Sequence, residues 1–287
     1  MKEVIINGKA VGTDCPVFIV AEVGINHNGS VDIAKEMIRN ANNKGVDAVK
    51  LQKRTIEVVY SKEELDKYRE SPWGTTNRAQ KERLEFGKDD YDEIDRYCKS
   101  LGLMWFVSCW DKVSVDFIDQ YDPPCYKISS ASLTDHDLLK YHRTKGKPVI
   151  LATGMSTMDE IDAAVNVLGK ENLILLHSTS TYPCKPEELN LKVIKTLIDK
   201  FDVPIGYSGH EVGVSTTVAA VALGACMVER HFTLDRSMYG SDQAASLEPE
   251  GLRYVVDYIR TFEKAIGDGV KRVYDSEVLI KDKLRKE

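Results

Sequence analysis

Two histidines, two lysines and two glutamates fall at the ends of short apolar runs in this sequence, a set able to bind a metal and an anion. His210 and His231 close successive runs, which in a parallel sheet would make them neighbours. Two imidazoles on adjacent strands can hold a divalent cation and leave positions open to water and substrate oxygens. The bland alternative is a pair of ordinary polar rim residues. Lys50 and Lys127 lie on the second and fourth runs and point into the same mouth. A lysine buried there is costly unless it meets an anion, either a ligand or a structural partner such as Glu22 or Glu229. The other run ends contribute the residues after Glu22 as far as His27, then Gln52, Ser108-Cys109, Ser129-Ser130, Thr153-Gly154, His177 to Tyr182, and Ser208-Gly209. Thr153-Gly154-Met155-Ser156 offers backbone amides at a helix start, although Ser156 is equally well explained as an N-cap. His177 is either a ligand or a packed side chain. His136 and His142 sit in a helix-like stretch and read as surface residues.

The elements that must position these groups are strands alternating with helices. The runs are Val17–Val23, Asp47–Leu51, Leu103–Cys109, Cys125–Ser129, Pro148–Ala152, Leu173–His177, Pro204–Ser208 and Ala225–Phe232. Most are apolar throughout, as strands covered on both faces by crossover helices should be. Ser30 precedes an amphipathic stretch Val31–Lys44 that stops at Gly45. Thr134 with Asp137 and Ser156 with Asp159 have capping-box spacing. Eight such units and a last helix near Pro249–Ile266 fit a (β/α)8 TIM barrel, whose chemistry sits at the C-terminal strand ends. An open doubly wound sheet is not excluded by alternation alone, but no glycine fingerprint of a dinucleotide fold follows the first run. Val4–Val11 around Asn7-Gly8 reads as a hairpin plugging the barrel floor. The long loop Lys53–Lys88 after the second strand reads as a lid, with Trp73, Asn77, Arg78 and Arg83 as its ligand-binding candidates. We expect one domain over 1–287: a hairpin at 1–14, the barrel at 15–266 and a C-terminal tail at 267–287.

Composition narrows the function. The 287 residues, 43% hydrophobic, carry 39 Lys+Arg against 45 Asp+Glu, a net charge of -6. A mildly acidic chain without a basic run argues against nucleic acid, and no stretch is long enough to span a membrane. An anionic substrate then needs a local cluster of lysines or a metal. Scattered Cys15, Cys98, Cys109, Cys125, Cys184 and Cys226 make no metal-binding pair and read as reduced, cytoplasmic thiols, with Cys109 and Cys184 placed where loops form.

The same residues carry a family resemblance. Ala21-Glu22-Val23-Gly24-Ile25-Asn26-His27-Asn28-Gly29 resembles the opening signature of the N-acetylneuraminate (sialic acid) synthase family. Val49-Lys50-Leu51-Gln52, Tyr126-Lys127-Ile128, Ser208-Gly209-His210 and Glu229-Arg230-His231-Phe232-Thr233 resemble further motifs of it, in register from about Pro16 to Pro249. The resemblance implies condensation of phosphoenolpyruvate with an N-acylated six-carbon aldose, such as N-acetylmannosamine, to a nine-carbon 3-deoxy-2-keto acid and phosphate. It makes His210 and His231 ligands of Mn2+, with Mg2+ or Co2+ as substitutes. It places phosphoenolpyruvate on Lys50, Lys127, Ser130 and Ser208, and the sugar at Gln52, Tyr182 and Asp242. Glu22 falls on an active-site carboxylate. We group Glu22, Lys50, Lys127 and Glu229 as catalytic, and add Ser180 to the substrate-binding set.

The sequence departs from the family pattern at Ser132, Cys109-Trp110 and Ser180, where many family members have an acidic residue, Thr-Pro and Asn. Relatives also usually carry a C-terminal antifreeze-like domain that gives an arginine to the partner subunit's sugar site. Here the sequence ends at Glu287 after a helix-like tail, Ser276–Lys286. The expectation is a barrel alone, in a homodimer or higher homo-oligomer, closed by the lid or by a neighbouring subunit. The competing readings are a related synthase making a seven- or eight-carbon keto acid from a phosphorylated aldose, and a non-catalytic sugar-binding barrel.

Overall fold

The computed structural model describes residues 3–285. Strand β1 (Val4–Ile6) and β2 (Lys9–Val11) form an antiparallel hairpin through Asn7 and Gly8, both at positive φ. Next come β3 (Phe18–Gly24), α1 (Val31–Asn43) and β4 (Ala48–Lys53). An insertion holds α2 (Ile56–Val59), α3 (Lys62–Asp66), β5 (Tyr68–Ser71), β6 (Gly74–Thr76) and α4 (Asn77–Leu84). The alternation resumes with α5 (Lys88–Leu101), β7 (Met104–Cys109), α6 (Lys112–Asp119), β8 (Tyr126–Ile128), α7 (His136–Arg143) and β9 (Val149–Ala152). It continues through α8 (Met158–Leu168), β10 (Leu173–Ser178), α9 (Lys192–Lys200), β11 (Ile205–Gly209), α10 (Ser215–Ala222) and β12 (Met227–His231). Helices α11 (Pro249–Ala265) and α12 (Asp275–Leu284) follow. Eight parallel strands pair in chain order, and β12 closes onto β3. The chain is therefore a (β/α)8 barrel, and the open sheet is ruled out.

Successive strand side chains face opposite ways, and this explains the uniformly apolar runs. Ile19, Ala21, Val49, Val107, Leu151, Leu175 and Val228 point outward and pack under the helices. Phe18, Val20, Ala48, Phe106, Ile150, Ile174 and Met227 point inward and fill the lower barrel. Val4, Ile6 and Val11 of the hairpin join that inner cluster, so the hairpin does plug the floor. Further along most of the strands the inward positions become polar, as at Glu22, Lys50, Ser108, Lys127, Ser178, Ser208 and Glu229, and those residues build the site.

Two expected helix caps lie one residue later than the spacing suggests. Asp135, not Thr134, caps α7 by accepting from Leu138 N, and Thr157, not Ser156, forms the capping box with Glu160 at α8. Ser30 caps α1 as expected. The stretch after β4 is not a plain loop but a small folded unit, tied to the chain after β12 by Tyr239. Gln80 Nε2 donates to Tyr239 Oη at 3.2 Å, and Tyr239 meets the Trp73 ring edge-on. His142 is fully buried on α7, its Nδ1 2.9 Å from the Leu138 carbonyl, so it is no surface residue: helix packing took it inward. No helix among the described residues is long and apolar enough to cross a membrane.

Candidate active site

Register brings the polar residues to one level. Glu22 stands opposite Lys50 on one side and His231 on the other, while Ser208 faces Glu229 and Ser108 faces Lys127. Of the residues grouped above as catalytic, substrate-binding or metal-binding, all but Asp242 border one cavity of about 200 Å³ at the C-terminal end of the barrel. Asp242, on the chain after β12, borders an adjoining cavity and comes within 3.7 Å of His231 Nδ1. Ser108, Trp110, Ser129 and Ser178 also line the main cavity. Inward alternation on β7 and β10 was the signal for Ser108 and Ser178.

Four charged groups meet at its base. Lys50 Nζ lies 3.0 Å from Glu22 Oε2 and 3.2 Å from Glu229 Oε1, and donates to Ser108 Oγ at 2.9 Å. Lys127 Nζ lies 3.4 Å from the same Glu229 oxygen, to which Ser208 Oγ donates at 3.1 Å. The lysines thus have structural carboxylate partners, and they face a cavity as well. All four side chains are at least 96% buried, so the environment sets their charges. Burial works against charge on Glu229, but Lys127 and Lys50 overcome it and hold the carboxyl down, to about 2. Burial dominates at Glu22 and raises it to about 7, the Lys50 attraction notwithstanding. Burial likewise lowers Lys127 to about 8. Glu22 is therefore the carboxyl poised to exchange a proton near neutrality, steadied by Gln52 Nε2 donating to its Oε1 at 2.8 Å. When Glu22 is protonated, the cluster has an excess of positive charge to offer an anion.

His210 and His231 line the wall above, with ring centroids 5.4 Å apart. Burial first, then His231 for His210 and Lys50 for His231, lower both to about 3, so both are neutral, the form that ligates a metal. His210 Nδ1 lies 2.7 Å from the Thr179 carbonyl, which fixes the proton on Nδ1 and the lone pair on Nε2. His231 Nδ1 is buried without a hydrogen-bond partner among the described residues. Those residues contain no group of three or more His, Cys, Asp or Glu side chains arranged as a metal cage. Two neutral imidazoles on one wall suit a divalent ion whose other positions are taken by water and substrate. Tyr182 packs on both, its ring 4.2 Å from His210 and 5.5 Å from His231.

Several candidates stand elsewhere. His27 stacks on Phe86 at 4.0 Å, and His177 lies 2.7 Å from the Leu189 carbonyl, so both are packed residues. Arg230 points outward to Glu211, 3.0 Å away, and to Thr217. Thr153 Oγ1 donates to the Leu176 carbonyl, and Gly154 N donates to Ser130 Oγ at 2.9 Å. A side chain at Gly154 would collide with Ser180 Oγ at 2.2 Å, so glycine lets these serines meet the backbone. Cys109 and Cys184 are buried free thiols. Trp73, Asn77, Arg78 and Arg83 do not reach either cavity. Arg78 pairs with Glu57 and Glu82, and Asn77 donates to the Glu64 carbonyl. The insertion instead presents Tyr60, Arg69, Gln80 and Lys81, which its unremarkable sequence did not single out.

A model of the NeuB family matches residues 37–271. The chain belongs to that family. It is 39% identical to N-acetylneuraminate-9-phosphate synthase of Homo sapiens, over 97% of this chain and 79% of the relative. It is 35% identical to N,N'-diacetyllegionaminic acid synthase of Legionella pneumophila, over 98% of this chain and 82% of that one. The crystal structure of N-acetylneuraminic acid (sialic acid) synthetase from Leptospira borgpetersenii, in complex with citrate, matches with a TM-score of 0.86 at 29% identity. It covers 100% of this chain and 98% of that one. This NeuB-family barrel thus presents a mixed-charge base and a two-imidazole wall at the end where barrel enzymes do their chemistry.

Proposed function

We propose that this NeuB-family enzyme condenses phosphoenolpyruvate with an N-acylated six-carbon aldose, giving a nine-carbon 3-deoxy-2-keto acid of the sialic acid type and inorganic phosphate. The observation that carries this reading is the Lys50–Glu22–Glu229–Lys127 cluster facing a cavity beside two neutral histidines. Membership of a family whose relatives are named as such synthases supports it.

Lys50 and Lys127, with Ser130 and Ser208, hold the phosphate and carboxylate of phosphoenolpyruvate, and Gln52, Ser180, Tyr182 and Asp242 face the sugar. A divalent ion held by His210 and His231, Mn2+ with Mg2+ or Co2+ as substitutes, would polarise the aldehyde of the open-chain aldose. Carbon 3 of phosphoenolpyruvate attacks that carbonyl, and positive charge develops at carbon 2. Glu22 gives its proton to the aldehyde oxygen as the carbon–carbon bond forms. As a carboxylate it then takes a proton from the water that adds to carbon 2. The tetrahedral adduct breaks its carbon–oxygen bond to phosphate, which leaves with the proton of the new hydroxyl, and the ketone remains. Glu229, held ionised by both lysines, offsets the cationic carbon and keeps the lysines in place.

Phosphate release from phosphoenolpyruvate, measured with Mn2+ and a panel of aldoses, tests the proposal. Release that requires an N-acylated six-carbon aldose supports it; release with only shorter phosphorylated aldoses favours a seven- or eight-carbon product. No aldose-dependent release contradicts it and favours a binding barrel. A homodimer or larger homo-oligomer belongs to the same proposal, and light scattering on the full chain measures it.

A further inference from the structure

The reaction cavity does not end at the histidines. Gln52, Trp110 and Tyr182 also border the adjoining cavity of about 230 Å³, so one ligand can extend from the first into the second. The far wall is cationic, with Arg54, Arg69 and Lys81 set against Glu85 and Asp242. Glu85 is already engaged, by Arg54 at 3.2 Å and by Lys53 at 3.6 Å. Asp242 lies beside His231. Among the described residues no carboxylate comes within ion-pair distance of Arg69 or Lys81. Lys81 rests 4.0 Å above the Tyr60 ring, and burial together with repulsion from Arg54 and Arg69 weakens its hold on its proton. Cations held this close to one another are stabilised by an anion placed between them.

Two buried donors sharpen the point. Arg54 stacks 4.4 Å over the Trp110 ring, and both Arg54 Nε and Trp110 Nε1 are buried without an acceptor among the described residues. Unsatisfied buried donors are costly, and their presence at the junction of two cavities calls for ligand oxygens.

Similarity does not decide what the sugar carries at that end. One relative is named for a 9-phosphate product and another, about as similar, is named without phosphate. We infer that the aldose bears a phosphomonoester at the end remote from its aldehyde, held by Arg69 and Lys81 with Arg54 positioning the sugar chain on Trp110. The inference rests on the synthase reading, since the aldehyde must lie at the histidines for the far end to reach this wall. Arg and Lys are the side chains that recognise such a dianion.

The test compares N-acetylmannosamine with its 6-phosphate, in wild type, Arg69→Met, Lys81→Met, the double variant and Lys81→Arg. In parallel, calorimetric titration uses the corresponding alditols, free and phosphorylated, which lack the aldehyde and cannot react. The expected result is a preference for the phosphorylated aldose in kcat/KM that falls by ~100-fold in the double variant, from the loss of two charge-assisted contacts. Lys81→Arg retains most of that preference, the KM for phosphoenolpyruvate stays put, and the alditol phosphate loses binding in parallel. If the free and phosphorylated alditols bind wild type equally, the phosphate site is overturned, whether or not the enzyme turns over. If the alditol phosphate binds through Arg69 and Lys81 but neither aldose releases phosphate, the site stands and the synthase reading fails.

Discussion

At the scale of single residues, the site divides into groups that the sequence announced and groups that only packing could define. Glu22, Lys50, Lys127, Glu229, His210 and His231 were legible because polar residues interrupt apolar strands at inward positions near their ends. Their division of labour was not, since burial alone separates Glu22, raised to about 7, from Glu229, held near 2. A carboxyl raised on folding favours the folded state while it is protonated. Its contribution is complete below the unfolded value of 4.5 and is lost as pH rises through about 7. Glu22→Gln, fixed neutral, should therefore unfold in urea at higher concentration than wild type at pH 8, by up to about 3 kcal/mol in metal-free protein. The gain should vanish near pH 4, while turnover is lost at both. Equal stability at pH 8 would show that Glu22 is ionised there without strain. Lys127→Met should raise the KM for phosphoenolpyruvate about 10-fold or more and leave that for the aldose unchanged, because its charge meets the anion. His210→Ala and His231→Ala should each lower turnover by ~1000-fold or more without shifting thermal unfolding downward. Full activity of either variant in chelator-treated buffer would remove the metal from the account.

Elements were legible wherever period and length agreed. The eight strands fall within a few residues of the apolar runs, and the Asn7-Gly8 hairpin and the α1 cap are where local turn chemistry puts them. The insertion was harder, because its elements are short and polar and draw their order from contacts distant in sequence. Tyr239, which holds it through Gln80 and Trp73, lies well over a hundred residues away. Its cavity-facing cations Arg69 and Lys81 could not be told from its solvent-facing Arg78 and Arg83 by spacing. Tyr239→Ala removes two hydrogen bonds, one from Gln80 and one to the Glu70 carbonyl, and one edge-on ring contact, together worth about 3 kcal/mol. It should raise the aldose KM about 10-fold with little change in that for phosphoenolpyruvate. Unchanged kinetics for both substrates would show that the insertion does not shape the sugar site.

The whole molecule has to attract anions with a net charge of -6. It does so by focusing positive charge at the mouth of the barrel, on the two lysines at its base and the insertion's cations beside it. Closure of the sheet was the one global feature that alternation could not give, and it is what places β12 beside β3 and His231 against Glu22. The central claim is that this site joins phosphoenolpyruvate to an aldose by water addition at carbon 2 and loss of phosphate through carbon–oxygen cleavage. Phosphoenolpyruvate labelled with 18O in its bridging oxygen tests that most directly, with Mn2+ and the free and phosphorylated forms of N-acetylmannosamine. The account predicts aldose-dependent release of inorganic phosphate that carries the label, and a nine-carbon keto acid that does not. Label retained in the keto acid, or no release above an aldose-free control, would contradict it.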